Sequence, residues 1–145
     1  MNRLQDNSFG AAPTHDRFTA LRVAFRQSGG IAQGDDLARL WEDHRLGDTA
    51  SLGRLIAHHD VFGFDYRESF WVPMFQFDLR DLSLTYGAAP VIAMLADVFD
   101  GWMLASWFVL PNPFLDDQRP VDSLDATPAR VLSAAHEAHA ARISG

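Results

Sequence analysis

The sequence lacks cysteine, lysine and any long apolar segment. Without cysteine the chain can form neither a disulfide nor a thiolate nucleophile, which excludes disulfide scaffolds and cysteine-dependent enzymes. The first residues have no apolar core of the kind found in signal peptides, and the longest apolar stretches are far shorter than a membrane span. We therefore expect a cytoplasmic protein with no membrane partner. Its 145 residues suffice for one core of ordinary size.

Charge is unevenly distributed along the chain. All twelve basic residues are arginine, and the formal net charge is −7. Residues 1–60 carry seven arginines and eight acids, whereas residues 61–145 carry five arginines and eleven acids. Because an acidic surface repels phosphate groups, the C-terminal part is unsuited to nucleic acid, although the N-terminal part can present a small basic face. The balance favours a basic protein partner over nucleic acid.

The N-terminal part reads as a tail followed by three helices. We expect residues 1–13 to be a disordered tail. The spacing of apolar residues predicts helices over 14–28, 35–44 and 49–59. Each helix begins at a residue suited to N-capping, namely Thr14, Asp35, and Thr49 or Asp48. The first helix should bury an imperfect stripe made of Phe18, Leu21, Val23 and Phe25.

Alternating apolar residues over 62–66 and 70–75 then predict a β-hairpin, in which Pro73 should lie at an edge or a bulge. Two helices followed by a hairpin resemble a degenerate winged helix-turn-helix. In that arrangement the third helix would face DNA with Thr49, Ser51, Arg54 and His58. Only Arg54 is firmly charged, and helix pairs of this shape also occur as plain packing, so both interpretations stay open.

The C-terminal part is again helical. Apolar spacing and breaks at glycine and proline predict helices over 88–99, 102–110, 120–124 and 127–143, the last opened by Thr127 and Pro128. The helix over 88–99 should be the most buried. The predicted fold is mainly α, a compact helical domain with one β-hairpin. We place a boundary between residues 14–78 and 79–145 and expect the two parts to form one compact unit.

No arrangement of catalytic residues stands out. The chain has no G-x-S-x-G nucleophile motif and no glycine-rich phosphate loop. His136 and His139 are three residues apart, whereas the zinc-protease pattern places its histidines four apart. We therefore expect no enzymatic activity, no metal and no cofactor.

Two segments resemble a known family. Residues 107–124 read WFVLPNPFLDDQRPVDSL, and residues 70–78 read FWVPMFQFD. They are similar to the antitoxin Xre/MbcA/ParS toxin-binding domain and to the strand that precedes it, over about residues 60–145. The motif residues are Trp107, Asn112, Pro113, Leu115, Arg119, Pro120 and Leu124. Asn112 should fix a turn, Phe114 and Leu115 should fold back on the preceding helix, and Arg119 should bind a carboxylate. The glycine usual after the motif leucine is replaced here by Asp116, Asp117 and Gln118.

The resemblance implies a function in a toxin–antitoxin system. Such proteins pair with RES-type toxins that consume NAD and cover them with their C-terminal helices, and many also carry a DNA-binding helix-turn-helix. The toxin-facing segment would be residues 128–145, and its partner-binding residues would be Arg130, His136, His139, Arg142 and Gly145. Beyond Ala135 the final turns have little reason to pack against their own domain. The alternative is a helix-turn-helix transcriptional regulator that uses this domain for dimerisation. A third possibility is an enzyme accessory subunit. A homodimer is expected from the apolar and aromatic content.

Overall fold

A computed structural model describes residues 14–47 and 49–145 of the chain. The expected tail over 1–13, the capping residue Asp48 and the side chain of Thr49 lie outside the described residues. The first half contains α1 (His15–Ala24), β1 (Ile31–Gln33), α2 (Gly34–Asp43), α3 (Thr49–Ala57), β2 (Phe64–Tyr66) and β3 (Ser69–Pro73).

The second half is helical. It contains α4 (Ala88–Ala96), α5 (Gly101–Val109), α6 (Pro120–Ser123) and α7 (Pro128–Ser144). Short 3₁₀ turns span Arg26–Ser28, Met74–Gln76 and Pro113–Leu115. The prediction of a mainly α fold with one β-hairpin is confirmed. Within residues 14–47 and 49–145, no helix combines the length and the apolar content needed to cross a bilayer.

The three strands form an antiparallel sheet in the order β1-β3-β2. The hairpin is the β2–β3 pair, in which Tyr66 lies opposite Ser69 across a two-residue turn. Strand β1 was not predicted. Pro73 also differs from expectation, because it is the last residue of the central strand and pairs with Ile31. Proline is tolerated there because the ladder continues through the next residue, Met74, whose N–H donates to the Gly30 carbonyl at 2.9 Å.

The order of elements in the first half is helix, strand, helix, helix, strand, strand, with the first strand beside the last. This order resembles that of a winged helix-turn-helix, with α3 in the place of the second helix of the motif and the β2–β3 hairpin in the place of the wing. We call residues 14–78 the winged-helix module and residues 79–145 the helical module.

Two hydrophobic clusters hold the described residues together. The larger one joins Phe18 and Leu21 of α1 to Ile92 and Leu95 of α4, and it crosses the boundary between the modules. The smaller one surrounds Leu37 of α2 and comes mostly from the winged-helix module, with Leu82 joining it from the segment that follows. The two modules therefore share one core and are not separate folding units linked by a surface loop.

The segment that follows β3 divides its aromatic side chains between these clusters. Phe75 packs in the larger cluster and Phe77 in the smaller one. Between them, Gln76 is only 1% exposed. Its amide nitrogen donates to the carbonyls of Phe62 and Pro73, both at 2.9 Å, and its amide oxygen accepts from the Phe62 N–H at 2.8 Å. The strand predicted over 70–75 therefore ends at Pro73, and Met74–Gln76 form a 3₁₀ turn in which Gln76 supplies the bonds that a neighbouring strand would have supplied.

A close contact between backbones joins the two modules. A Cβ atom at Gly101, the first residue of α5, would overlap the carbonyl oxygen of Gly63. Beside this contact, the indole N–H of Trp102 donates to the Asp65 carbonyl at 2.8 Å. The Arg17 guanidinium lies 4.9 Å from the Trp102 ring. Burial lowers the pKa of Arg17, and the charge of Asp100 partly offsets this effect.

Several helix details differ from the predictions. Gln33 occupies the N-cap of α2, so Asp35 lies in the first turn and does not cap it. Val23 does not join the buried stripe, since its side chain is 54% exposed. It lies two residues after Leu21, and positions two apart on a helix face different sides. The predicted helix over 88–99 ends at Ala96. It is also not the most buried helix, since α5 lies between the two modules and buries more of its residues than α4 does.

Candidate partner-binding and nucleic-acid surfaces

The corner between α5 and α6 contains the residues that resemble the antitoxin domain. Asn112 organises it: its side-chain oxygen accepts from the Phe114 N–H at 2.9 Å, and its own N–H donates to the Gln118 carbonyl at 3.0 Å. Its carbonyl accepts from the N–H groups of Leu115 and Asp117, both at 2.9 Å. The expectation that Asn112 fixes the turn is confirmed. A single buried asparagine therefore holds the chain in a sharp reversal.

Two aspartates with left-handed backbone follow the buried Leu115 in this turn. Asp116 and Asp117 have φ angles of 57° and 63°, in the left-handed region that disfavours side chains with a Cβ. The backbone thus keeps the conformation that glycine favours, although the side chains differ. Aspartate adopts this region more readily than most residues, which explains how this turn forms without a glycine.

Arg119 ties this corner to two other elements. Its Nε and Nη2 donate to the two carboxylate oxygens of Asp122 at 2.7 and 3.0 Å, as the expected contact with a carboxylate requires. Its Nη1 donates to the Ala24 carbonyl at the end of α1, at 2.8 Å. The hydrogen bonds with Asp122 raise the pKa of Arg119, so the guanidinium stays charged. The arginine connects the helical module to α1 as well as to its own turn.

The other motif residues are mostly structural. Leu115 and Leu124 are buried in the larger cluster, Trp107 is half-buried against it, and its ring meets that of Phe108 edge to face at 5.1 Å. Pro113 opens the 3₁₀ turn and Pro120 opens α6. The prediction for Phe114 is wrong: its side chain is 55% exposed and does not fold back, because Asn112 turns the chain so that Leu115 alone faces inward.

Helix α7 carries the residues predicted to bind a partner. Arg130 lies in its first turn and reaches the Phe114 carbonyl and the Asp116 carboxylate at 3.3 and 3.4 Å. Thr127 precedes the helix as predicted but forms no capping bond, since its hydroxyl donates to the Ser123 carbonyl instead. Arg130 therefore joins the start of α7 to the corner, which makes it partly structural.

The last turns of α7 are less free than the sequence suggests. His139 Nε2 lies 2.9 Å from the Asp97 carboxylate, and the Arg142 guanidinium lies 6.0 Å from the Phe99 ring. Both contacts join α7 to the segment between α4 and α5, which sequence spacing alone could not bring close. His136 stays exposed, and the Gly145 N–H continues the helix by donating to the Ala141 carbonyl. Among residues 14–47 and 49–145, no three metal-ligating side chains form a group.

The winged-helix module carries the residues predicted to face DNA. Thr49 is the first residue of α3. Ser51 and Arg54 follow on α3, with Arg54 Nη2 donating to Ser51 Oγ at 3.1 Å, and His58 is exposed just after the helix ends. The structure thus brings Ser51, Arg54 and His58 to one shallow depression beside α2.

Sequence reasoning missed one candidate in this module. Arg67 lies at the tip of the wing with a φ of 56°, and its guanidinium is 5.3 Å from the Tyr66 ring. The signal was present, because the short connection left between the alternating apolar segments 62–66 and 70–75 makes its residues the tip of a hairpin. Its neighbour Glu68 and the acids of α2, Asp35 and Asp36, reduce the positive potential of this face.

Comparison with known proteins adds no assignment: no protein-family model matches the chain, and no curated protein and no solved structure is significantly similar to it. Functional inference therefore depends on the residues and contacts described above.

Proposed function

We propose that this chain is an antitoxin-like protein that binds and neutralises a partner toxin, a RES-type NAD-consuming enzyme, through its C-terminal helical module. The observation that carries the proposal is the exposed face of the last turns of α7. His136, Ala140 and Ile143 recur at intervals of one helical turn and are all exposed, and Ile143 is an apolar side chain that is 64% exposed. An amphipathic helix that leaves such a face uncovered suits docking into a groove of a partner.

The position of this face relative to the core supports the same proposal. Helix α7 buries Val131, Ala134 and Ala135 in the larger cluster, all in its first half. Its second half is held by the contacts of His139 and Arg142 and buries no side chain fully. The first half of α7 therefore anchors the helix in the core. The second half is held in a fixed place by surface contacts while its outer face stays open to solvent. Such preorganisation lowers the entropic cost of binding.

The corner over residues 107–124 supports the proposal in a second way. Asn112, Arg119 and Pro120 hold this corner, which is the segment that resembles the toxin-binding domain, through their own local contacts. The corner leads through α6 to α7. The net charge of −7 is suited to a basic partner surface.

The proposal is tested with the product of the adjacent gene. We expect the full chain to bind that protein and to suppress its consumption of NAD. A variant ending at His139 keeps every buried residue of α7 and should fold but lose inhibition. Ala140→Glu should weaken inhibition at least tenfold, while Ala129→Glu, at an exposed position near the start of the same helix, should not. Inhibition by the variant ending at His139 at wild-type strength would overturn the proposal.

A second function, binding of operator DNA, is favoured by one observation: the topology of the winged-helix module. We propose that α3 and the wing contact DNA with Arg54 and Arg67, with few phosphate contacts in each copy. Binding to DNA upstream of the gene should be weak with a shallow salt dependence. Arg54→Ala and Arg67→Ala should each reduce the salt slope by about 1. Arg80→Ala, an equal charge change outside the module, should leave it unchanged; identical slopes for all three variants would refute this contact surface.

A further inference from the structure

A crevice of about 190 Å³ lies between the two modules. One wall comes from the winged-helix module and includes Phe70 of β3. The other comes from α4 and the segment that follows it, and includes Ala96 and Phe99. Apart from His59, all the lining side chains are apolar. Phe70, Ala96 and Phe99 are each only half-buried, so the crevice opens to solvent.

The size of the crevice limits what it can hold. An apolar cavity of roughly 150 Å³ accommodates benzene. The crevice is slightly larger and open on one side, so it fits one aromatic ring with a small substituent that projects to solvent. The aromatic side chains of Phe62, Phe70 and Phe99 in its walls suit an aromatic ring better than an aliphatic chain, since offset and edge contacts between rings add to burial.

His59 is the one polar side chain in this lining, and its backbone is unusual. It has a φ of 60°, and the Asp60 N–H donates to the Leu55 carbonyl at 2.9 Å, which closes the end of α3. Glycine is the residue normally preferred at this left-handed position after a helix. A histidine there costs conformational free energy, and its side chain is exposed at the crevice instead of being buried in the fold.

We propose that this crevice binds a small aromatic carboxylate, with its ring against Phe70 and Phe99 and its carboxylate accepting a hydrogen bond from the His59 imidazole. This site goes beyond the functions proposed above and does not depend on a toxin or on DNA. Because His59 closes α3 and Ala96 ends α4, the ligand spans both modules and restrains α3 against the helical module.

The test measures the binding of benzoate, the probe, to the full chain by calorimetry at constant ionic strength. We expect saturable binding of one benzoate per chain. Ala96→Leu places extra volume in the crevice and should lower the affinity at least tenfold. Ala93→Leu adds the same volume on the exposed side of α4 and should leave the affinity unchanged within twofold. Equal effects of the two variants would overturn the proposal, as would binding that does not saturate below about 10 mM.

His59→Gly separates the polar contact from a structural role. Glycine removes the backbone strain, so this variant should be at least as stable as the wild type. It should nevertheless lose at least fivefold in affinity for benzoate, while benzyl alcohol, which has no carboxylate, should bind wild type and variant within twofold. If benzoate and benzyl alcohol respond alike to His59→Gly, the imidazole does not recognise a carboxylate and the assigned ligand class is wrong.

Discussion

Gln76 offers the sharpest test of how the turn after β3 is held against the segment that precedes β2. Its buried amide makes three hydrogen bonds to backbone groups, two at Phe62 and one at Pro73. Gln76→Leu keeps the approximate volume and removes all three. A hydrogen bond contributes about 1 kcal/mol net, and a buried backbone group left without a partner costs more than that. The loss in free energy of unfolding should therefore be about 3–5 kcal/mol, a large part of the stability of a domain.

Urea unfolding followed by tryptophan fluorescence measures this loss as a shift of the midpoint at constant slope. Gln33→Leu is the matched control, because Gln33 is half-buried and makes one bond, 3.2 Å from its Nε2 to Ser69 Oγ. It should cost no more than about 1 kcal/mol. Gln76→Glu at neutral pH should be at least as damaging as Gln76→Leu, since an ionised carboxylate cannot donate to two carbonyls. A Gln76→Leu variant within 1 kcal/mol of wild type would refute the reasoning.

Three further sites test other parts of the fold by the same unfolding assay. Gly101→Ala should destabilise by about 1–3 kcal/mol because the new methyl group overlaps backbone at the contact between modules. Gly53→Ala, in open space on α3, should instead stabilise by about 0.5–1 kcal/mol, and equal effects would disprove the close contact. Asp117→Gly should stabilise by about 0.5–1 kcal/mol because φ is 63°, and a loss would show that the aspartate side chain compensates. Arg119→Ala should lower the free energy of unfolding by about 1–3 kcal/mol and Asp122→Ala by clearly less, since the arginine also binds α1. Equal losses would show that the contact with α1 does not stabilise the fold.

Local chemistry made the corner and most helices predictable from sequence. Thr14 caps α1 through its side chain, and Pro120 opens α6, because each acts on residues within one turn of itself. The hydrogen bonds of Asn112 and Arg119 within their own turn were equally predictable, since their partners lie within a few residues. The helix-turn-helix outline followed from spacing and breaks in the same way.

Contacts between distant residues were not predictable, and they explain the errors. Strand β1 has only three residues, too few for a periodic pattern, and it forms because β3 offers a free edge. The alternation around Gln76 has the period of a strand, but its neighbours Phe75 and Phe77 pack in two separate clusters. His139 meets Asp97 across 42 residues, and no local rule connects them. The contact between the modules at Gly101 was invisible for the same reason.

The two proposed functions are linked by the weakness of the candidate DNA surface. Each copy offers Arg54 and Arg67, while Asp35, Asp36 and Glu68 oppose them on the same module. One copy can therefore neutralise few phosphates, and its affinity for DNA should be low at physiological salt. Joining two or more copies converts later contacts into intramolecular ones and multiplies affinity without any new contact. Helix α7 packs mainly on α4, α6 and the turn over Pro113–Leu115, so a partner docked on α7 has no need to cover α3 or the wing. An assembly of this chain with a partner, or the homodimer expected from its composition, would thus raise DNA affinity through the number of copies, with Arg54 and Arg67 as the only cationic contacts that each copy needs.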